Sequence, residues 1–290
     1  ATFEFENIPY DAVEFLAELV PVRPKPAILH ICQNLVREKE FCHRIGAPTA
    51  RYVKVTDLST LANGVNEIGR PCVLKTAEMG YDGKGQVLIG HGAELEGIWA
   101  GMAEAAATRD VIVEAFVDFR LEISLIVARG LDGARQIYVP IETQHKDHVL
   151  HQTIVPVRLP ERLVDRAEGI ARHMAEVMDL VGLLAVEMFV TGDDELVINE
   201  LAPRPHNSGH WTLDACMTSQ FEQFIRAIAG LPLGSSECLA DAVMTNLLGG
   251  EITKARAHLS DPRVKLHLYN KAEARPGRKM GHVTRLIPWT

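Results

Sequence analysis

A glycine-rich segment between two apolar runs is the feature that most restricts how this chain can fold. Gly80-Tyr81-Asp82-Gly83-Lys84-Gly85 is followed by Gln86, with apolar residues at 71–74 before Lys75 and at 87–89. This pattern predicts two short strands joined by a loop. Glycines let backbone N–H groups approach an anion, and lysines add charge for phosphate oxygens. The spacing matches neither a Walker nor a Rossmann pattern. We therefore expect a phosphate-binding loop, with an ordinary hairpin turn as the alternative.

Two further apolar runs, residues 184–191 and 196–201, each contain a glutamate and are joined by the turn-forming residues 192–195. If Thr191 faces Leu196 in a hairpin, Glu187 lies opposite Glu200. Opposed Cβ atoms are about 5 Å apart, and like charges there are destabilising unless a cation lies between them. Mg²⁺ binds one or two carboxylates together with water and phosphates. A solvated pair of glutamates is the alternative, but their apolar neighbours favour the metal site.

The segment that follows this hairpin, residues 203–212, is dense in hydrogen-bonding side chains. His206 and His210 are four residues apart, but the hairpin offers no third nitrogen ligand, so the pattern favours hydrogen bonding over zinc. Near the end of the chain, Arg275, Arg278 and Lys279 flank a Pro-Gly turn. Such a cationic turn either binds a phosphate or is a solvated tip.

The composition limits the class of protein. With 290 residues, of which 47% are hydrophobic, the chain can form two or three packed units. A net charge of −8 argues against nucleic-acid binding. Five cysteines without a C-x-x-C pair indicate reduced core thiols rather than a disulfide or zinc framework. No apolar run is long enough to cross a membrane and no signal peptide is recognisable, so we expect a cytoplasmic protein.

The first residues predict a strand and two helices. The chain begins at Ala1 without methionine, so we expect that a further segment precedes it. Alternation over residues 2–7 predicts a strand, and helical periodicity covers residues 11–20 and 27–45. In the second helix, the charges of residues 37–40 are expected on one side.

Five stretches together resemble one family, the 5-(carboxyamino)imidazole ribonucleotide synthases, which are ATP-grasp ligases of purine biosynthesis. The stretches are residues 4–7, 80–86, 199–204, 206–211 and 275–282, so the resemblance runs from end to end of the chain. It implies a mixed α/β (α+β) fold of the ATP-grasp type. Residues 1–26 would then be the remnant of an N-terminal α/β domain, 27–230 the ATP-grasp domain with a lid at about 72–140, and 231–290 a small β-rich domain.

The resemblance also implies a reaction and its partners. ATP would phosphorylate bicarbonate to carboxyphosphate, which would then carboxylate the exocyclic amine of aminoimidazole ribonucleotide. The cofactors would be ATP and Mg²⁺, with Mn²⁺ as an alternative metal ion. The partners implied are a second copy of the chain in a homodimer and a carboxyaminoimidazole ribonucleotide mutase, with neither nucleic acid nor membrane.

Site roles follow from the same resemblance, position by position, with Glu122 expected at the ribose hydroxyls and the backbone of residues 114–117 at the adenine edge. The expected nucleotide contacts are Lys75, Gly80, Tyr81, Asp82, Gly83, Lys84, Gly85, Gln86, Glu114, Ala115, Phe116, Val117, Glu122, His145, Asn199 and Glu200. The expected metal ligands are Glu187 and Glu200. The expected substrate contacts are Glu4, Tyr81, Asp82, Arg204, His206, Asn207, Lys271, Arg278 and Lys279, and the catalytic candidates are Lys75, Asp82, Arg204 and His206.

Two departures and two alternatives accompany the resemblance. Relatives carry an arginine near Leu35, for which Arg37 is the candidate replacement, and their N-terminal strand and glycine-rich turn are absent here. We therefore expect the chain as given to be incomplete for activity. A formate-dependent glycinamide ribonucleotide transformylase is the nearest alternative enzyme, but we would expect serines where Tyr81 and Asp82 stand. A nucleotide-sensing protein without activity is the other alternative, and it would not need two metal carboxylates.

Overall fold

The N-terminal segment folds into three helices rather than a strand and two helices. The structure is a computed structural model that describes residues 1–78 and 85–289. The strand predicted over residues 2–7 is wrong, because only Phe3 packs into a core while Glu4 and Phe5 are exposed. The helix predicted over 27–45 is interrupted at Asn34, whose side chain accepts the N–H groups of Val36 and Arg37 and starts a new helix. The helices are α1 (Tyr10–Leu19), α2 (Pro26–Cys32) and α3 (Leu35–Arg44).

A four-stranded antiparallel sheet, in the order β1-β4-β2-β3, forms the smaller β unit. Two helices cover one of its faces, where Leu61 and Leu74 are fully buried. Because side chains alternate along a strand, Val73, Lys75 and Glu114 lie on the opposite face. The elements are β1 (Tyr52–Val55), α4 (Leu58–Ile68), β2 (Cys72–Thr76), β3 (Gln86–Ile89), α5 (Leu95–Ala106) and β4 (Val111–Ala115).

A larger antiparallel sheet has the order β10-β9-β5-β7-β8-β11-β13-β12, with β6 paired to β5. Helix α6 packs on one face of β5, β9 and β10, and α8 packs on the other face. The elements are β5 (Phe119–Arg129), β6 (Arg135–Ile137), β7 (Ile141–Lys146), β8 (Val149–Val155), α6 (Glu161–Val177), β9 (Gly182–Thr191), β10 (Leu196–Ala202), α7 (Thr212–Ala215), α8 (Gln220–Ala229), β11 (Asp241–Leu248), β12 (Val264–Leu268) and β13 (Lys279–Ile287), with 3₁₀ helices at Asn207–Gly209 and Gly249–Ser260.

Strand alternation in the large sheet determines which side chains reach the site. Leu184, Val186 and Met188 of β9 enter the core under α6, whereas Leu183 and Ala185 enter the core under α8. Glu187 and Phe189 share the second face, but lie beyond the end of that core, where both line an open cleft. The same face is therefore core at one end and binding surface at the other.

The mixed helix and sheet architecture agrees with the predicted fold class. The small sheet spans residues 52–115, whereas residues 119–129 and 135–137 are strands of the large sheet, so the sheet boundary differs from the predicted lid range of 72–140. The large sheet also continues past residue 231, through the pairing of β8 with β11. The division into domains itself stays a prediction. Within the described ranges, no helix has both the length and the apolarity needed to cross a bilayer.

Candidate active site

A cleft of ≈ 1410 Å³ lies between the exposed face of the small sheet and the open end of the large sheet. It brings together most of the residues that the sequence predicts as site residues. Those that line it are Lys75, Gly85, Gln86, Glu114, Ala115, Phe116, Val117, Glu122, His145, Glu187, Asn199, Glu200, Arg204, His206, Asn207 and Lys279.

The opposed glutamates form the first feature of this cleft, and their predicted pairing is confirmed. Glu187 lies opposite Glu200, although the loop is one residue longer than predicted because Leu196 pairs with Val190. A bulge between Ile198 and Glu200 restores the register. A bulge places two residues of one strand opposite one residue of the other, which re-aims nearby side chains. The extra residue, Asn199, also lines the cleft.

The electrostatics of the two glutamates fit a divalent cation. Although the Glu200 side chain is open to the cleft, the surrounding protein partly withdraws both carboxylates from water and raises the pKa of Glu187 and of Glu200. The negative charge of Glu187 further raises the pKa of Glu200. A bound cation would remove this repulsion, and carboxylate oxygens are the ligands that Mg²⁺ prefers. The donor set therefore suits the predicted metal.

A buried ion cluster supports the opposite wall. The Glu114 carboxylate lies 3.1 Å from Lys39 Nζ and 3.1 Å from Lys75 Nζ. Burial raises the pKa of Glu114, but the two lysines outweigh burial, so the net pKa is lowered. Lys39 is only 1% exposed, whereas Lys75 reaches the cleft. The Glu114 side chain thus holds Lys75 in place, a role additional to the backbone contact predicted for residues 114–117.

Glu38 is a third carboxylate, and it lies beside β10, the strand that carries Glu200. It is 1% exposed, and it accepts a hydrogen bond from the Leu201 N–H at 3.0 Å, which ties α3 to β10. Burial first, and then the charge of Glu200, raise the pKa of Glu38 well above its usual range. The prediction that the charges of residues 37–40 share one side of the helix is therefore wrong, because Glu38 and Lys39 are buried whereas Glu40 is exposed.

The side of the cleft that is predicted to bind the nucleotide combines apolar walls with one polar pair. Phe119 stacks on Phe189 with ring centroids 4.5 Å apart, near Phe116 in the connection between the two sheets. Glu122 Oε2 lies 2.6 Å from His145 Nδ1. Burial lowers the pKa of His145, but the Glu122 hydrogen bond and charge outweigh burial and raise it. An apolar slot with a carboxylate at its edge suits a purine and its ribose.

The predicted phosphate loop is only partly described. Gly80, Tyr81, Asp82, Gly83 and Lys84 lie outside the described residues, so their expected roles stay predictions. Gly85 has a φ of +74°, and a Cβ there would lie 2.5 Å from the Thr76 hydroxyl oxygen. The Gly85 carbonyl also accepts the Thr76 N–H at 2.8 Å. This position therefore requires glycine both for its backbone and for its close packing.

Arg204 is fixed by a residue that the sequence analysis missed. Its Nε and Nη2 donate to the two carboxylate oxygens of Glu6 at 2.9 and 2.8 Å, a bidentate pair. The Glu6 backbone is in turn held by Gln33 Nε2. Glu4, the predicted substrate contact in the same stretch, is exposed and is not among the lining residues. Arg37, the candidate replacement for the arginine that relatives carry near Leu35, pairs with Glu78 and donates to the His30 carbonyl.

His206 is held by both its backbone and its ring. Gln220, which is fully buried, accepts the His206 N–H at 2.9 Å and donates to the His206 carbonyl at 2.7 Å. The His206 Nδ1 lies 2.8 Å from the Ser208 hydroxyl and 3.7 Å from Glu187 Oε1. Burial and the charges of Arg204 and Lys279 lower its pKa well below its usual range. The imidazole is therefore neutral at physiological pH.

The basic residues near the C-terminus divide into two groups. Lys279, at the start of β13, lines the cleft. Lys271 and Arg278 are exposed: the Lys271 Nζ lies 5.5 Å from the Tyr269 ring centroid, and Arg278 donates to the Glu273 carbonyl. The structure therefore brings only Lys279 of this set to the cleft wall.

A histidine-rich cluster lies behind this basic strand. His267 and His282 face each other across β12 and β13 and stack with centroids 4.6 Å apart. His267 Nε2 bonds to Asp214 at 2.9 Å, and Tyr269 bonds to His282 Nδ1 at 2.7 Å. The atoms of Asp214, His267 and His282 that could bind a metal ion lie within 4.8 Å of one another. The cluster connects α7 to the strand that carries Lys279.

The residues that sequence reasoning missed are Glu6, Glu38, Lys39, Gln220 and the stacked pair Phe119 and Phe189. Lys39 could have been found, because it lies three residues from both Val36 and Cys42 on the apolar stripe of α3. Glu6 and Gln220 gave no such signal, since Glu6 contacts Arg204 across 198 residues and Gln220 contacts His206 from a separate helix.

Comparisons with known proteins agree on one family. Residues 40–221 match the ATP-grasp domain family, and residues 242–288 match the phosphoribosylaminoimidazole carboxylase C-terminal domain. The chain is 45% identical to the N5-carboxyaminoimidazole ribonucleotide synthase of Brucella melitensis, over all of this chain and 79% of that protein. It is 43% identical to the synthase of Bacillus subtilis, over 98% and 74%. It spans 30% of the bifunctional purine synthesis protein of Dictyostelium discoideum, at 43% identity.

Solved structures give the same result. A crystal structure of an N5-carboxyaminoimidazole ribonucleotide synthetase with ADP has a TM-score of 0.92 and 42% identity, and covers 98% of this chain and 74% of that one. The synthase of Aspergillus clavatus, in complex with ADP and 5-aminoimidazole ribonucleotide, has a TM-score of 0.90 and 30% identity, with coverage of 99% and 76%.

Proposed function

Because the chain belongs to the N5-carboxyaminoimidazole ribonucleotide synthase family of ATP-grasp proteins, we propose that it is an ATP-dependent ligase that carboxylates 5-aminoimidazole ribonucleotide on nitrogen in purine biosynthesis. The observation that carries this proposal is the opposed pair Glu187 and Glu200, at the base of a cleft whose other wall holds Lys75.

The reaction has two steps. An oxygen of bicarbonate attacks the γ-phosphorus of ATP and displaces ADP, which gives carboxyphosphate. The exocyclic amine then attacks the carbonyl carbon of carboxyphosphate, phosphate leaves, and the nitrogen loses a proton. Both steps depend on holding the reactants in line and on excluding water, because carboxyphosphate hydrolyses readily.

The nucleotide occupies the slot between the two sheets. Phe116, Phe119 and Phe189 enclose the adenine, Glu122 binds the ribose hydroxyls, and Lys75 donates to phosphate oxygens. Because Glu114 holds Lys75, the ammonium group of Lys75 does not need to be ordered when ATP binds. The 80–85 glycine-rich segment is the expected cover over the phosphates.

Glu187, Asn199 and Glu200 would hold Mg²⁺ at the phosphate end of this slot. When bound there, Mg²⁺ supplies neutralisation of the charge that develops on the phosphates. Glu38 lies behind Glu200 and fixes the Leu201 backbone, which keeps β10 in register with α3.

Arg204, His206 and Asn207 form the bicarbonate side, because they follow the metal strand directly. Glu6 presents the Arg204 guanidinium as a rigid group for the carboxyphosphate oxygens. The lowered pKa of His206 makes its neutral ring a weak base, so the ring serves as a hydrogen-bonding group for the bicarbonate-derived group, and the departing phosphate takes the proton that the amine loses. Lys279 binds the ribonucleotide phosphate, with Lys271 and Arg278 joining it from the exposed part of the same segment. The substrate roles of Glu4, Tyr81 and Asp82 stay predictions.

The remaining partners are proposals as well. The homodimer and the mutase that would use the product stay predictions from the family resemblance, and the cytoplasmic location stays a prediction from the sequence pattern.

The experiment that tests the proposed function measures ADP release by the purified chain. We expect release with Mg·ATP only when aminoimidazole ribonucleotide and bicarbonate are both present. A parallel assay uses glycinamide ribonucleotide with formate. Release in that second assay, or ATP binding without release for any amine, would contradict the proposal.

A further inference from the structure

Two cysteines far apart in the chain form a cross-strand pair outside the cleft. Cys216 and Cys238 make an isolated antiparallel bridge. The flanking hydrogen bonds run from Met217 N–H to the Glu237 carbonyl at 2.9 Å, and from Leu239 N–H to the Ala215 carbonyl at 2.8 Å. Cys216 and Cys238 are thus a non-hydrogen-bonded pair, in which the Cα atoms are about 4.5 Å apart and the side chains approach most closely. That spacing lies within the range of disulfides, about 4.4–6.8 Å.

The two thiols already interact and differ in character. Hydrogen bonding between them raises the pKa of Cys216 and lowers that of Cys238. Cys216 is only 7% exposed, whereas Cys238 is half-buried. The accessible thiol is therefore the one that ionises more readily, and the buried thiol lies next to it. This is the arrangement of an attacking and a resolving cysteine.

The other three cysteines lack this arrangement. Burial raises the pKa of Cys32, Cys42 and Cys72, so these thiols stay protonated. None of the three takes part in a cysteine-to-cysteine strand pairing within the described parts of the chain. They provide the internal control for selectivity.

The position of the pair connects it to the site. Cys216 lies four residues before Gln220, whose amide holds both the N–H and the carbonyl of His206. Cys238 lies in the segment that returns from α8 to β11. A covalent bond between the two would fix the segment that supports Gln220.

We propose that Cys216 and Cys238 are an oxidation site, which a low-molecular-weight disulfide such as oxidised glutathione converts to an intramolecular disulfide. The Cys238 thiolate attacks one sulfur of the oxidant and releases one reduced thiol. The deprotonated Cys216 then attacks the Cys238 sulfur of the mixed disulfide and releases the second. The two cysteines lose two electrons and two protons, and the oxidant is reduced to two thiols.

The test treats the folded chain with excess oxidised glutathione, removes it, blocks free thiols with iodoacetamide and maps the products by non-reducing peptide mass spectrometry. We expect free thiols to fall from five to three and one cross-linked peptide pair that contains Cys216 and Cys238. Dithiothreitol should restore all five.

Two variants complete the test. Cys72→Ser should still form the cross-link, whereas Cys238→Ser should not. Because reduced and oxidised wild-type protein are compared directly, the result does not depend on how well Cys238→Ser folds. Five free thiols after oxidation, only mixed disulfides with glutathione, or a cross-link between other cysteines would overturn the proposal.

Discussion

The two walls of the cleft manage charge in opposite ways. On the small-sheet wall, the Glu114 carboxylate lies between the ammonium groups of Lys39 and Lys75. On the large-sheet wall, Glu187 faces Glu200, and the pKa of each carboxyl group is raised. A buried charge whose counter-ions belong to the same chain is already neutralised, so it does not need a ligand. Two like charges on opposed strands become favourable only when a cation from outside joins them.

The comparison separates structural charge from functional charge. Removing charge from the first wall should cost mainly stability, because a buried ion would lose its partner. Removing charge from the second wall should cost mainly activity, because the repulsion between Glu187 and Glu200 does not stabilise the folded protein.

The largest effect is expected from Glu200→Gln. This change keeps the shape of the side chain and removes one anionic ligand, so turnover should fall by about two to three orders of magnitude. ADP release at saturating Mg·ATP measures it. Glu195→Gln, an exposed position in the same hairpin, is the matched control and should retain activity. Near-normal turnover of Glu200→Gln would contradict the claim that the charge of the large-sheet wall is needed for activity.

The second effect concerns Glu114→Gln. Without this carboxylate, Lys39 is left buried with an unpaired charge, and the free energy of unfolding should fall by about 3 kcal/mol. Denaturant titration measures the change. Glu176→Gln, which removes an exposed ion pair with Arg135, should change stability by less than about 1 kcal/mol. Equal losses in the two variants would show that the Glu114 cluster is not a structural charge pair.

A third prediction uses pH. Because the pKa of Glu200 is raised in the folded protein, the folded state binds that proton more tightly than the unfolded chain does. The resulting stability is complete below the unfolded pKa, about 4.3, and is lost as pH rises through the folded pKa. Between pH 5 and 8 without Mg²⁺, the melting temperature of the wild type should therefore decrease relative to that of Glu200→Gln. Parallel melting curves for the two proteins would contradict the electrostatic argument.

The smallest effect separates nucleotide from ribonucleotide. Lys279→Ala should raise the KM for aminoimidazole ribonucleotide by about one to two orders of magnitude, and should leave nucleotide affinity nearly unchanged. Steady-state kinetics with each substrate varied in turn measures both. Lys265→Ala, an exposed lysine on the adjacent strand, is the control. Weaker ATP binding with an unchanged KM for the ribonucleotide would show that Lys279 binds ATP and not the ribonucleotide.

Sequence reasoning succeeded where the alternation of side chains along paired strands determines which residues lie opposite one another. The pairing of Glu187 with Glu200 follows from strand alternation, and it holds although the loop is longer than predicted, because the bulge at Asn199 compensates. Sheet register is constrained by the burial of whole strand faces, so a local error near a turn does not propagate through the hairpin.

It failed where long-range contacts decide the environment. The charges at residues 37–40 are predicted to share one side of the helix, but α3 is enclosed by β10 and β4, so Glu38 and Lys39 are buried. Alternation over residues 2–7 read as a strand, but only Phe3 enters a core. Glu6 meets Arg204 across 198 residues, and no local pattern encodes that contact.

The binding of Mn²⁺ in the presence of ADP, followed by the electron paramagnetic resonance signal of the free ion, tests most directly whether Glu187 and Glu200 form the metal site. The wild type is compared with the double variant Glu187→Gln and Glu200→Gln, and with Glu195→Gln as the control. We predict that the double variant binds Mn²⁺ at least about tenfold more weakly, while the control matches the wild type. Equal Mn²⁺ affinity in all three proteins would contradict the assignment of the opposed glutamates as the metal site.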